Sequence, residues 1–337
     1  SAAAQGGREW PAVSVQLHSP YPREGRWVKG QLHAHTRRSD GRLSPEELLE
    51  AYRARGFEFV CLTDHDRLNA PARVVEGVLV PPGEESTVGP GWLPIGAHLL
   101  RLFVERPLPR RGLSLQARLA LTQEEGGLAA ACHPLWPGNL GTGRWRADQL
   151  LDPRLRLLEI VNHHAPVEPT LALWDQLLQR RGPAHPLWGA AVDDSHRASD
   201  IGRAWIWVKL PPGPAVGQGH WHGYPDARQA CRALRSALEC GAFYASTGLA
   251  ADFWVEPALP GTEGGGAEAA GQPAVVVDSP QARRIRFVGP GLRVLGDFPG
   301  PRARYAPVPG DRFVRVELEG EDGSRAWSQP FWVTGGA

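Results

Sequence analysis

The chain has 337 residues, 37 Lys+Arg against 36 Asp+Glu, a formal net charge of +1 and 42% hydrophobic residues. That length suits one large domain or two smaller ones, and no run of about 18 apolar residues is present to span a bilayer. So even a balance excludes the cationic excess of a nucleic-acid footprint or a polybasic membrane patch, and neither partner is expected.

Residues 1–26 read as an N-terminal extension. From Trp27 to Gly248 short apolar runs alternate with helical patterns, which implies βα units around a sheet or barrel, and the region 27–250 is read as one domain. The runs are WVKGQLH (27–33), FEFVCLT (57–63), VLVPP (78–82), HLLRLFV (98–104), LAAAC (128–132), LLEIV (157–161), WGAAV (188–192) and AWIWVK (204–209). Several are apolar without alternation, as strands covered on both faces are. Ser44-Pro45-Glu46-Glu47 predicts a capping box with Pro at the first helical position, and Gly56 closes the helix. Ala227, Cys231, Leu234 and Leu238 share one face of a later helix. The Gly/Ala-rich stretch 258–274 has too little apolar content to pack and reads as a flexible loop. Beyond it come alternating runs without helical pattern, which predict a small C-terminal antiparallel β domain over 251–337.

Cys61, Cys132, Cys231 and Cys240 show no CxxC spacing, so buried reduced thiols are expected rather than disulfides or a zinc finger. Reduced thiols favour a cytoplasmic location. Ser1–Gly7 lacks the layout of a signal peptide, although the trimmed end of an exported form would look the same.

The chemistry lies in how six of the twelve histidines and three carboxylates are placed. His33 and His35 end the first strand, where alternate side chains point to one side and can share an ion. Asp40 follows in Ser39-Asp40-Gly41, and the second strand ends Thr63-Asp64-His65-Asp66. Then come Pro82-Gly83-Glu84-Glu85, His98, Cys132-His133-Pro134 and Asp194-Ser195-His196, each at or just beyond a strand-like run. In a β/α barrel those ends converge on one face. Nine N/O ligands suffice for two or three divalent ions, and imidazole with carboxylate suits Zn, Mn or Fe. Ions about 3.5–4 Å apart would share a bridging hydroxide, so hydrolysis is the implied reaction.

The segment KGQLHAHTRRSDGRLSPEELLEAYRARGFEFVCLTDHD, followed by PPGEES, ACHP and VDDSH, resembles the polymerase and histidinol phosphatase (PHP) superfamily of metallohydrolases over roughly residues 27–250. The resemblance implies a distorted (β/α)7 barrel with the metal cluster at the C-terminal strand ends. It implies that His33, His35 and Asp194 hold one metal, that Glu85 bridges, and that His98 and His133 bind a second. Asp40, His65 and His196 would serve a third. The adjacent Glu84 is a rival to Glu85. GAFYASTG (241–248) and RAWSQP (325–330) are similar to the branch of carbaryl-type ester and carbamate hydrolases.

Asp64, Asp66 and His163 are candidates for the group that assists the leaving group. Arg37, Arg67, Arg197 and His164, with Arg38 and Arg203, are candidates to hold substrate oxygens. Glu159 and Asn162 lie at another strand end and could orient a ligand imidazole. Trp92, Trp136 and Trp188 could shape an apolar pocket, and His220-Trp221-His222 reads as a surface loop or a lid. The expected function is a phosphoesterase acting on small phosphate esters. A carboxyl-ester or carbamate hydrolase on the same site is the alternative, and a metal-binding accessory module without turnover is the second.

Overall fold

A computed structural model describes residues 15–89, 95–109, 112–213, 221–258 and 272–335. The Gly/Ala-rich loop falls largely outside these residues, as do Trp92 and His220.

Strand β1 (Val15–His18) lies in the N-terminal extension. The apolar runs then form strands in the expected order, joined by β4 and β6, which no apolar run predicts: β2 (Arg26–Gln31), helix α1 (Pro45–Arg53), β3 (Phe59–Val60), β4 (Arg73–Val75), β5 (Val78–Val80), β6 (Gly83–Val88) and β7 (Ala97–Leu102). Helix α2 (Leu115–Glu124) leads to β8 (Leu128–Ala131), α3 (Ala147–Leu150), β9 (Leu155–Val161), α4 (Val167–Arg181) and β10 (Trp188–Ala191). The sequence of β11 (Trp205–Leu210), α5 (Ala227–Glu239) and β12 (Phe243–Ser246) follows. The C-terminal region holds strands and no α-helix among its described residues: β13 (Asp252–Glu256), β14 (Ala274–Asp278), β15 (Ala282–Gly289), β16 (Arg293–Pro299), β17 (Arg302–Tyr305), β18 (Phe313–Gly320), β19 (Arg325–Trp327) and β20 (Phe331–Gly335).

Helix α1 begins as its sequence demands. Ser44 accepts from the Glu47 amide, and the Glu47 carboxylate accepts from the Ser44 amide. Leu48, Leu49 and Tyr52 then bury against Phe57, Val60, Leu62 and Val80. An N-cap of this kind contributes about 1 kcal/mol.

The fold is mixed α/β. One sheet runs β1-β20-β18-β19-β12-β11-β2-β3-β5-β4, with β15 and β16 joined beside β18; a second runs β10-β9-β8-β7-β6; a third is β13-β14-β17. Val28, Phe59 and Leu79 of the first sheet, with Leu32 just past β2, share one core with Leu100, Leu128, Leu157 and Ala190 of the second, and Leu234 and Leu238 of α5 pack into it. The two sheets meet at isolated parallel bridges, Ala34 with Ser195 and His65 with Glu85.

No closed sheet is found among the described residues, and the regular (β/α)7 alternation is interrupted. Strands β6 and β7 pair antiparallel, as do β7 and β8. The segment 89–96 between β6 and β7 falls short of the dozen or so residues that a parallel crossover needs. The C-terminal strands continue the first sheet, because β19 pairs with β12, and Gln329 ties them to the second by bonding both the N–H and C=O of Gly189 in β10. Cys61, Cys132 and Cys231 are buried free thiols, whereas Cys240, just past α5, is exposed. No described helix is long and apolar enough to cross a membrane.

Candidate metal centre

Strand β2 ends at Gln31, whose side-chain oxygen accepts from the Leu32 and His33 amides and turns the chain into the His33-Ala34-His35 segment. Both imidazoles are buried. His33 Nε2 and His35 Nε2 lie 3.0 Å apart. Glu85 Oε2 is 3.2 Å from each, and Asp194 Oδ1 is 3.2 Å from His33 and 3.1 Å from His35. Four donors around an ion at about 2.0–2.1 Å would be separated by about 3.3 Å, so this cluster has the size of one cation site.

Glu85 reaches further on both sides. Its Oε1 is 2.8 Å from His98 Nδ1 and 3.3 Å from His133 Nε2, while Oε2 is 3.0 Å from His65 Nδ1. Asp194 Oδ2 stands 4.0 Å from His133 Nε2. A third group forms around Asp40, whose Oδ2 is 3.4 Å from both His65 Nε2 and His196 Nε2 and whose Oδ1 is 3.5 Å from His35 Nδ1. All nine expected ligands are therefore brought together.

Glu85 Oε2, Asp194 Oδ1 and His98 Nδ1 are buried and make no aligned hydrogen bond, although oppositely charged atoms stand 2.8–3.2 Å away. Such orphaned atoms are costly, and divalent cations would satisfy all three. The residues fit the ions that the sequence implies. In the chain alone their charges hold one another. Burial disfavours the imidazolium of His33, but Asp194, Glu85 and Glu159 outweigh it and lift the pKa well above normal. His65 is likewise pushed up to about 11 by Glu85 and Asp40 against the effect of burial. Burial would raise Glu85 and Asp194, yet the surrounding histidines hold both well below the carboxylate range.

Backbone strain helps aim the ligands: His133 has φ 24° and Asp194 φ 48°, in the left-handed region that L-residues seldom occupy. Gly41 is required beside Asp40, since a Cβ there would lie 2.3 Å from the His35 carbonyl oxygen.

A buried carboxylate braces the cluster. Glu159 Oε1 is 2.6 Å from His33 Nδ1, and Oε2 accepts from the His133 amide and from Asn162 Nδ2. Asn162 Nδ2 also reaches Asp194 Oδ2 at 3.2 Å. Glu159→Gln should therefore weaken metal affinity about 10–100-fold while leaving the fold intact, as partners of ligating histidines do elsewhere. Titration of metal-stripped protein with Zn²⁺ or Mn²⁺ checks this.

The choice between adjacent Glu84 and Glu85 is resolved by the alternation of strand β6. Glu84 points away from the histidines and pairs with Arg101 at 2.5 Å. Asp193, absent from the sequence reading, accepts from the amides of Gly202, Arg203 and Ala204 and from the Tyr52 hydroxyl, which leaves Asp194 to the cluster.

The other expected site residues divide. Asp66, Trp136 and His164, together with Thr87, Ile95 and Gly96, which the sequence did not single out, line a cavity of about 330 Å³ whose floor is the ligand cluster. Asp64 is not there: it is fully buried and accepts from Thr36, Ser39 and Asn69, bracing the turn that carries Asp40. Its spacing in TDHD could not show that neighbouring hydroxyls already claim it. His163 is exposed and bonds the Asp193 carbonyl. Arg37, Arg67 and Arg197 are exposed and none lines the cavity, and Arg37 is held by the Arg42 carbonyl and Glu47. Trp188 is core. His222 pairs with Glu58 at 2.7 Å, away from the cluster.

No family model matches the chain. Over 148 residues it is 27% identical to an uncharacterised protein of Methanocaldococcus jannaschii, a match covering 40% of this chain and 82% of that one. Among solved structures it is similar to an amidohydrolase from Chromobacterium violaceum, at 15% identity and a TM-score of 0.38 over 54% of this chain and 92% of the other. It is also similar, at 14% identity and a TM-score of 0.49 over 98% of this chain and 100% of the other, to a two-domain protein from Bacteroides vulgatus. That protein is described as containing a predicted PHP-like metal-dependent phosphoesterase.

Proposed function

We propose that this protein is a metal-dependent hydrolase of the PHP type that cleaves small phosphate esters at a two- or three-ion His/Asp/Glu centre. The observation that carries the reading is the convergence of nine ligands from separate segments on one cluster, seven of which line one small cavity, with buried Glu85 and Asp194 oxygens that make no aligned hydrogen bond. Divalent ions held there would activate water and offset the negative charge that develops on the scissile group. Two or three such ions held by these residues would outweigh the charges of Asp40, Glu85 and Asp194, and the floor would then attract a phosphate dianion.

The chain's own groups do the rest. Glu159 fixes the His33 ring through Nδ1 and so turns Nε2 toward the cluster. Burial, assisted by His163, His133 and His196 and opposed by Asp194, lowers His164 to about 4. Near neutral pH it offers an uncharged ring that can orient a water or a substrate hydroxyl at the cavity wall. The Asp66 carboxylate accepts from the amide and hydroxyl of Thr87, which fixes the polar wall.

One observation favours a second reading: among the described residues no Arg or Lys lines the cavity. A carboxyl ester or carbamate needs no anion clamp, and the similarity of 241–248 and 325–330 to the carbaryl-type branch points the same way. Metal-loaded protein should turn over p-nitrophenyl phosphate, and His133→Ala or a chelator should abolish it. Turnover of p-nitrophenyl acetate alone would move the assignment to the ester reading. Turnover of neither would leave an accessory module.

A further inference from the structure

Trp136 stands apart from the other large side chains of the metal-centre cavity. Among the described residues it is the one aromatic other than histidine that lines the cavity, and it is half-buried there. Its ring is held from several sides. The ring centroid lies 4.8 Å from that of His133, edge-on at 73°, and 5.2 Å from that of His98. Behind it the backbone comes close at two glycines: a Cβ on Gly143 would sit 2.7 Å from Trp136 Cε3, and one on Gly138 would sit 3.2 Å from Cζ3. Any side chain at Gly143 would push the indole out of place. The Trp136 amide is bonded to the His133 carbonyl at 2.8 Å, so ring and ligand share one turn.

We propose that Trp136 is a specificity-determining platform that stacks a neutral planar aromatic ring of the substrate next to the scissile ester. The proposal rests on the hydrolase reading and names the substrate class for it. A ring already locked by its neighbours loses little freedom on binding, so its contact area converts into affinity and selectivity. The alternative occupant of an indole face is a cation, and the ion-bearing floor beside it repels one. An aliphatic group would gain burial there but not the edge and face complementarity of two π systems. Ile95 supplies further apolar wall, and Thr87 and His164 supply polar edges to a ring of this kind.

The test compares two non-hydrolysable ligands of similar volume, benzylphosphonate and cyclohexylmethylphosphonate, by calorimetry on the metal-loaded protein, with benzyl phosphate as substrate alongside. The intact protein should bind the benzyl ligand about fivefold more tightly, the excess expected of an aromatic pair beyond area alone. Trp136→Leu should bring the two dissociation constants within about twofold, and Trp136→Phe should keep the preference, with elemental analysis showing the same metal content in all three. An unchanged ratio in Trp136→Leu, or no binding of either ligand, overturns the platform. If the preference holds but benzyl phosphate is not turned over, the platform stands and the phosphoesterase reading falls.

Discussion

Glu85→Gln is expected to lower kcat/KM for any ester substrate on the order of 10³-fold, with loss of bound metal. Its two oxygens reach five imidazoles: His33, His35 and His65 through Oε2, His98 and His133 through Oε1. Asp194 also faces five imidazoles, but three of them stand 3.7–4.0 Å away, whereas all five of Glu85 lie within 3.3 Å, so the amide removes one charge and one ligand from more than one ion position at once. A metal acting as Lewis acid supplies several kcal/mol to hydrolysis, and about 4 kcal/mol corresponds to three orders of magnitude. The neighbouring residue provides the contrast. Glu84→Ala leaves buried Arg101 with Glu125 and Thr122 as its remaining partners and should cost about 2 kcal/mol in denaturant unfolding, with metal content kept. Metal counts by elemental analysis on both variants decide: retention of a full complement in Glu85→Gln would refute its bridging position.

Metal loading should release protons, and its apparent affinity should climb as pH rises. His65 is raised from 6.5 to about 11 in the metal-free fold. Its imidazolium therefore stabilises that fold in full below about pH 6.5, and the contribution is lost as pH climbs toward 11. His33, His133 and His196 shift in the same direction. Asp40, Glu85 and Asp194 shift the opposite way, so their contribution is present above the ordinary carboxylate range and is lost on acidification. The metal-free protein should be most stable in weakly acidic solution. Cations need neutral imidazoles, so each ion must displace protons from these sites, and affinity should gain about tenfold per pH unit for each proton displaced. Calorimetric titration in two buffers of different ionisation enthalpy reads the number directly; zero released protons would contradict this charge assignment.

The sequence made most of the ligands legible because His33, His35, His65, His133, Asp194 and His196 sit beyond strand ends, where local spacing and global geometry coincide, whereas Asp40 lies in a turn, Glu85 inside β6 and His98 near the start of β7. HxH, SDG, TDH, HP and DxH needed no knowledge of topology. Glu85 was readable as a motif, but its strand was not: GEESTV is polar because Glu84 enters a buried ion pair and Glu85 faces the cluster. Asp64 and Asp194 look alike in sequence, each an acid beside a ligand. Only the fold shows that hydroxyls and an amide have already taken the first. The arginines after the metal motifs pointed outward for a similar reason, since the loops that carry them turn to the surface. Trp136 and the glycines behind it were illegible as a unit, because their packing depends on a turn that no periodicity encodes. The C-terminal strands were readable as strands, but their pairing with β12 was not, because antiparallel partners distant in the chain leave no local mark.

The bridges between Ala34 and Ser195 and between His65 and Glu85 have a mechanical consequence. They place the seam between the two main sheets on the very residues that grip the ions, or on their immediate neighbours. Parting that seam would draw His33 and His35 from Asp194 and His65 from Glu85 in a single motion. An ion seated there would act as a rivet through both sheets, so that holding it and holding the seam closed are one and the same interaction.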